Sequence, residues 1–283
     1  MAFSFVQANA TGNGATSTTI GVAFGVAVTS GNFVIGIVSW DNGGGGALNS
    51  VTDDKGNTYN KSSTITNATN NQDAAIFWLG NITNAPTTIT ANLSATSLGR
   101  SISIAEYSGG NAVTDPSDGN TGQAQSSPGT GTDAVVSTNI VTTTGADMIA
   151  GFSATTNGTT HATTGTGFND RPTSQINGGG AFAALTIEDE NQGSPGSVQS
   201  TFTAVGGTDN FVTFVLAIKA AAAQTPITAG FFVEDTTLQR PPQNQRMMRP
   251  DPLFATPAQP LPIMTPALQP GAAGVCKVRM IPN

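Results

Sequence analysis

The sequence predicts an all-β protein: an antiparallel β-sandwich head, jelly-roll-like, followed by an extended, proline-rich C-terminal arm. Three observations carry this. Only 10% of residues are charged and glycine occurs 34 times, with Ser, Thr and Asn filling much of the rest. That composition is poor in the residues long soluble helices draw on and rich in turn formers. Short apolar or alternating segments recur along the chain, separated by Gly, Asn, Asp and Pro clusters, which is the pattern of a sandwich or jelly roll. Eleven of the sixteen prolines lie beyond Thr225. The boundaries that follow are a head at 1–219, an Ala-rich junction at 220–224, and an arm at 225–283 ending in a strand-like segment.

Taken in order, Phe3–Val6 reads as a short strand and Asn9–Gly14 as a turn. Ser17–Phe24 and Asn32–Trp40 follow as strands; in the second, Phe33, Ile35 and Ile37 share one face, and Val34, Val38 and Trp40 the other. Gly43–Gly46 has no side chains to pack and reads as a loop. Ser50–Tyr59 reads as strand, tight turn and strand around Asp54-Lys55-Gly56-Asn57. Ala74–Gly80, Thr87–Leu93 and Arg100–Tyr107 are strands; in the last, Ile102, Ile104 and Glu106 share a face. Asn111–Gly131 and Thr155–Gly180 read as long loops, for want of apolar residues. Strands are expected at Ala134–Thr142, Asp147–Ser153, Ala181–Glu188 and Val198–Ala204. Asn210–Lys219 is the strongest strand: Val212, Phe214, Leu216 and Ile218 project to one side, Phe211, Val215 and Ala217 to the other.

Ser50-Val51-Thr52-Asp53, Gly56-Asn57-Thr58-Tyr59, the Trp-containing strand and Ile104-Ala105-Glu106-Tyr107-Ser108-Gly109 together resemble a β-sandwich module of bacterial surface and phage-encoded proteins. The resemblance covers the head and not the arm. It implies a fold and a setting, and it brings no catalytic residues with it.

The arm has a different character. Proline at this density excludes helix and central strand and favours extended backbone. Apolar residues recur along it, and Phe231, Phe232, Met247, Leu253, Phe254, Cys276, Val278 and Met280 read as anchors for a chain laid over another surface. Gly274–Ile281 alternates, with Cys276, Val278 and Met280 on one face and Lys277 and Arg279 on the other. A lone strand is unstable in water and needs an existing sheet edge.

Charge narrows the function classes. The head holds five basic residues against fourteen acidic ones and the arm five against three, about −9 and +2 within a net charge of −7. An acidic head repels phosphates, so nucleic acid is not an expected partner. No run reaches the ~18 apolar residues of a membrane span. A single cysteine, Cys276, excludes an intrachain disulfide. Residues 1–7 show no secretory n- and h-region, so the expectation is synthesis in the cytosol.

No catalytic constellation stands out, and no cofactor or metal is expected. His161, the only histidine, lies among Thr and Gly and reads as an ordinary loop residue. Glu106, Glu188, Asp189 and Glu190 are the carboxylates available to a glycosidase pair, and each also fits a strand end or turn. Asp53, Asp54 and Asn57 offer oxygens to calcium, though a hairpin turn uses the same residue types. Trp40, Trp78 and Tyr107 are the rings available for sugar stacking, against core packing at their strand positions.

The expectation is a non-enzymatic structural protein of a phage-like particle: a capsid-associated decoration or head-fibre protein on the virion surface, with the arm as assembly anchor. Its partners would be copies of itself, as a homo-oligomer, and other particle or surface proteins. The alternative is an adhesin or carbohydrate-binding module at a bacterial cell surface.

Overall fold

The structure is a computed structural model that describes residues 3–69, 71–125, 134–155, 161–171, 184–205 and 210–221. The chain divides into two units, Met1–Pro226 and Ile227–Asn283, of which the second lies outside the described residues. The first is all-β, and its ladders are antiparallel.

Its first half supplies β1 (Ser4–Asn13), β2 (Ser17–Ala23), β3 (Phe33–Asp41), β4 (Leu48–Asp53), β5 (Asn60–Lys61), β6 (Ile65–Asn67), β7 (Gln72–Leu79), β8 (Thr88–Ser97) and β9 (Arg100–Ser108). Its second half supplies β10 (Ser117–Gln125), β11 (Ala134–Val136), β12 (Ile140–Val141), β13 (Met148–Thr155), β14 (His161–Thr164) and β15 (Asn169–Arg171). The remaining strands are β16 (Ala184–Asn191), β17 (Ser197–Val198), β18 (Thr201–Val205) and β19 (Phe211–Ile218).

The two halves are the same sandwich twice. The first builds a main sheet in the order β1-β9-β3-β7-β5, with β6 also on β7, and a cover sheet β2-β8-β4. The second builds β10-β19-β13-β16-β15 with cover sheets β11-β18-β14 and β12-β17. Register confirms the match position by position. Phe33 faces Tyr107 as Met148 faces Ile218, and Val34 faces Leu79 as Ile149 faces Glu190. The first strand of each half even bulges at the same place: Phe5 pairs Tyr107 and Gln7 pairs Glu106, while Ser117 pairs Ile218 and Gly119 pairs Ala217. Gly36 and Gly151 are equivalent too. A Cβ on Gly36 would stand 2.3 Å from Phe77 Cζ, and one on Gly151 would stand 2.5 Å from Glu188 Oε1. Phe77 and Glu188 are themselves equivalent, so each glycine makes room for the side chain opposite.

The sandwiches stack through their main sheets, giving four β layers. Phe33, Ile35, Ile37, Ile76 and Tyr107 of the first interdigitate with Met148, Phe152, Leu185, Ile187, Phe214 and Leu216 of the second. Equivalent faces therefore meet, and the contacts are reciprocal: β9 lies against β16 as β19 lies against β7. That is the pattern of an isologous dimer, here within one chain. The opposite face of the first main sheet packs Val34, Val38, Trp40, Phe77, Ile102 and Ile104 under the first cover sheet. In the second half, Phe211 packs with Val135 and Phe202, while Val215 and Ala217 pack with Ile140 and Ile149. With both faces covered, β3, β7, β13 and β19 read as near-continuous apolar or small-residue runs instead of alternating ones.

Several expectations are corrected. Asn9–Asn13 is not a turn but the far half of β1, paired with β9 as far as Asn13 and Arg100. The 111–131 loop contains β10, nine residues without a large apolar side chain. It is an edge strand ordered by the β19 ladder, and Gly122 lies where a Cβ would strike Phe214 at 2.4 Å. The 155–180 loop likewise contains β14 and β15. Residues 42–44 of the glycine run form a 3-10 turn, with the Asp41 side chain accepting from Gly43 N. The turn is pinned further by Trp40 Nε1, which donates to Gly46 O at 2.7 Å.

Candidate functional site

The seam between the two main sheets opens at one end into a cleft lined by Phe3, Phe5, Tyr107, Met148, Asn169, Arg171, Asp189 and Asn191. Strand alternation builds it. On β16, Leu185, Ile187 and Asp189 point into the seam, and Asp189 is the last of them before the strand meets solvent. On β15, Asn169 pairs with Asp189 and places Arg171 two residues on, along the same side. Arg171 donates to Asp189 through Nε and, at 2.7 Å, through Nη2. Its guanidinium lies 4.5 Å above the Phe5 ring and 6.0 Å from that of Tyr107. Tyr107 Oη donates to the same carboxylate at 2.6 Å. Burial, followed by the neighbouring Asp189 charge, holds the Tyr107 phenol well above its ordinary pKa. The hydrogen bond from Arg171 to Asp189 outweighs burial and raises the pKa of the guanidinium. The result is an oriented Arg–Asp pair bridging the two sandwiches beside two aromatic rings.

The other carboxylates singled out from the sequence are held by the chain's own donors. Glu106 was expected at a strand end with access to water, but it is fully buried. It accepts from Gln7 Nε2 and Asn32 Nδ2, both at 2.6 Å, and from Thr29 N at 2.9 Å. The cause is its face: it shares the apolar side with Ile102 and Ile104, and residues 29–32 close over it. Glu188 is also fully buried and accepts from Gly165 N at 2.8 Å and Thr201 N at 3.1 Å. Burial pushes its pKa up to about 8, against the two backbone N–H groups. Glu106 and Glu188 lie on the outward faces of the two stacked main sheets, whose own spacing is about 10 Å. That separation exceeds the span of a glycosidase pair. Glu190 is half-buried, and burial raises its pKa as well.

At the Asp53–Asn57 turn, Asp53 accepts from Lys55 N, Asn57 N and Asn57 Nδ2. Asp54 accepts from the backbone N–H groups of Thr87 and Thr88. These bonds outweigh burial and lower the Asp54 pKa. The Asp53 and Asp54 carboxylates are thus held by donors of the chain itself, as in a hairpin turn. Among the described residues no group of three or more His, Cys, Asp or Glu side chains could hold a metal ion. Trp40 and Trp78 are buried on opposite faces of one sheet and form no joint platform. Of the three candidate rings only Tyr107 lines the cleft. His161 belongs to β14, with its side chain outside the described residues. All the arm anchors, Phe231, Phe232, Met247, Leu253, Phe254, Cys276, Val278 and Met280, lie outside them as well.

Two groupings escaped the sequence reading. Arg171 and Asn169 come from a segment taken as a loop; the signal available was the scarcity of cations, since the head has only five. The other is Asp118, in the β10 bulge, which accepts from Thr143 N and Thr144 N and pairs with Lys219 at 3.2 Å. Burial opposes ionisation of Asp118, but these partners together hold its pKa well below the usual carboxylate range. Buried Asp147, linked to it through the Thr144 hydroxyl, is pushed up to about 6 by burial and by the Asp118 charge. No protein-family model, curated protein or solved structure matches the chain.

Proposed function

We propose that the chain is a non-enzymatic structural protein of a phage-like particle, a capsid-associated decoration or head-fibre protein whose arm anchors it in the assembly. The observation that carries this reading is the doubled sandwich. Two copies of one β module are stacked through a broad apolar face, and the buried carboxylates Glu106 and Glu188 are held by donors of their own module. Such a body is a rigid exterior block. The sequence supplies the complementary part, an extended chain of prolines and spaced apolar anchors ending in an alternating segment suited to a neighbour's sheet edge. The partners would be copies of itself and other particle proteins, on the virion surface.

The test is deletion of 274–283 followed by measurement of particle attachment. Loss of attachment with an intact β body is expected. Attachment equal to that of the full chain would overturn the anchoring role. A second reading is an adhesin or carbohydrate-binding module at a bacterial surface, for which the polar Arg171–Asp189 cleft is the candidate contact.

A further inference from the structure

The first main sheet ends on a strand with an open side. Among the described residues β1 pairs only with β9, and no other backbone–backbone hydrogen bond reaches its far side. Two contacts give the parity of that side. Ala10 N donates to the neighbouring Asn9 Oδ1 at 2.8 Å and so points away from β9. Its partner Ser103 turns its carbonyl toward β3, where a Cβ on Gly36 would meet it at 2.6 Å. Ala8, Ala10 and Gly12 therefore present their N–H and C=O groups outward. From Gln7 to Asn13 the register is continuous over seven pairs. Edge strands are commonly guarded by lysine, proline or an inward charge. β1 carries no proline and no charged residue, only the bulge at Val6.

Beside this edge lie two exposed large hydrophobic residues, Val6 at 42% and Val26 at 65%. Val26 is fixed there by the Gln7 amide, which donates to Val26 O at 3.0 Å and accepts from Val26 N at 3.3 Å. The other edges offer less. β5, β6, β11, β14 and β15 have four residues or fewer. β4 is bridged through Thr52 to Thr58, and on β2 the Ala23 carbonyl accepts from Asn9 Nδ2. β10 carries Asp118, and its last carbonyl, Gln125 O, accepts from Asn67 Nδ2.

We propose that the open side of β1 receives residues 274–281 of a neighbouring copy as an added strand. The inference deepens the anchoring role proposed above and rests on it. Three features of the sequence fit this occupant. The segment is proline-free and eight residues long, the length of the continuous edge to within a residue. It alternates, so Cys276, Val278 and Met280 supply one apolar row beside an edge that exposes Val6 and Val26. Its Lys277 and Arg279 oppose the net charge of about −9 on the head, which favours encounter more than it adds affinity. Residues 222–273 precede it, and an extended chain of that length, at about 3.1 Å per residue, reaches on the order of 100 Å. Each copy then gives one strand and receives one, a head-to-tail contact that can run on through an assembly.

The experiment uses the full chain and its single cysteine, Cys276. Ala8→Cys, Thr11→Cys and Asn13→Cys sample both faces of β1, and Ala124→Cys on the β10 edge is the comparison. Unlabelled and heavy-isotope chains are mixed and mildly oxidised, and the disulfide-linked peptides are weighed. At least one β1 variant should link to Cys276 in mixed light–heavy pairs, at a yield at least about fivefold above Ala124→Cys. Ala10→Pro, added to that variant, removes an outward N–H that β9 does not use. It should lower the yield at least about fivefold, the weight of one backbone hydrogen bond, with thermal melting unchanged. Links made only within one isotope would show the segment docking on its own body and would overturn the exchange between copies. A yield no higher than that of Ala124→Cys, or one that Ala10→Pro leaves unchanged, would overturn β1 as the receiving edge. Either result leaves the anchoring role standing, since deletion of 274–283 tests that separately.

Discussion

Glu188 occupies the position that Phe77 holds in the first repeat, so a carboxyl group lies in a space the fold elsewhere fills with a ring. Its folded pKa of about 8 stands above the ordinary value of 4.5. The folded state therefore binds a proton that the unfolded chain has lost between those two values. The sign follows: this contribution is fully present below about pH 4.5 and disappears as pH rises through about 8. Its size is at most about 5 kcal/mol. Urea denaturation at pH 5 and pH 8.5 should show the β body less stable at the higher pH, and Glu188→Gln should reduce that difference. An unchanged slope in Glu188→Gln would place the carboxyl in contact with water. Asp118 acts in the opposite sense. Its pKa is lowered in the fold, so its stabilisation is present above the ordinary carboxylate value and is lost as pH falls through the folded one.

Among the elements, the β15–β16 hairpin edge joins the sandwiches on one side of the seam. It reaches β9 through Tyr107 and β1 through Phe5, both by way of Arg171 and Asp189. Tyr107→Phe keeps the ring in its stack with Phe33 and removes only the hydroxyl. The buried Asp189 then loses one charge-assisted hydrogen bond, a loss of about 1.5–3 kcal/mol by equilibrium denaturation. A loss below about 0.5 kcal/mol, the noise of an ordinary surface change, would mean that the carboxylate is satisfied by Arg171 alone. β10 teaches a related lesson. Its residues lack the bulk to form a strand by propensity, yet the exposed backbone of β19 supplies a complete ladder. Gln123 and Gln125 then tie its outer side to Val136.

For the whole molecule, the apolar clusters are built from residues of the β body. Among the described residues, the last ties along the chain are the Gly110–Ala220 bridge and the bond from Ala221 N to Gly109 O at 3.0 Å. Both lie just past Lys219, in the alanine run. A chain ending at Ala221 should stay soluble and unfold in one cooperative transition, since the shared apolar face couples the two sandwiches. Calorimetry checks this directly: two separated transitions would show that the sandwiches are independent, and aggregation would show that residues beyond Ala221 cover part of the body.

Periodicity in the sequence was enough for the all-β class and for the face assignments of β3, β9 and β19. Those strands carry side chains large enough to mark their faces. Phe33, Ile35 and Ile37 on one side of β3, and Val34, Val38 and Trp40 on the other, are where the alternation puts them. The hairpin at Asp53–Asn57 was legible for the same local reason, because its bonds run between near neighbours in the chain. The doubling was not. Equivalent positions hold Phe77 and Glu188, Trp78 and Asp189, Tyr107 and Ile218, so the halves share a ladder and hardly a residue. Backbone hydrogen bonds set strand order and register without regard to side-chain identity, and only the folded ladder reveals the repeat. The seam cleft depends on the same long-range pairing. Phe5, Tyr107, Arg171 and Asp189 come from four strands spread over most of the β body, and no local pattern marks residues that meet only when two sheets stack.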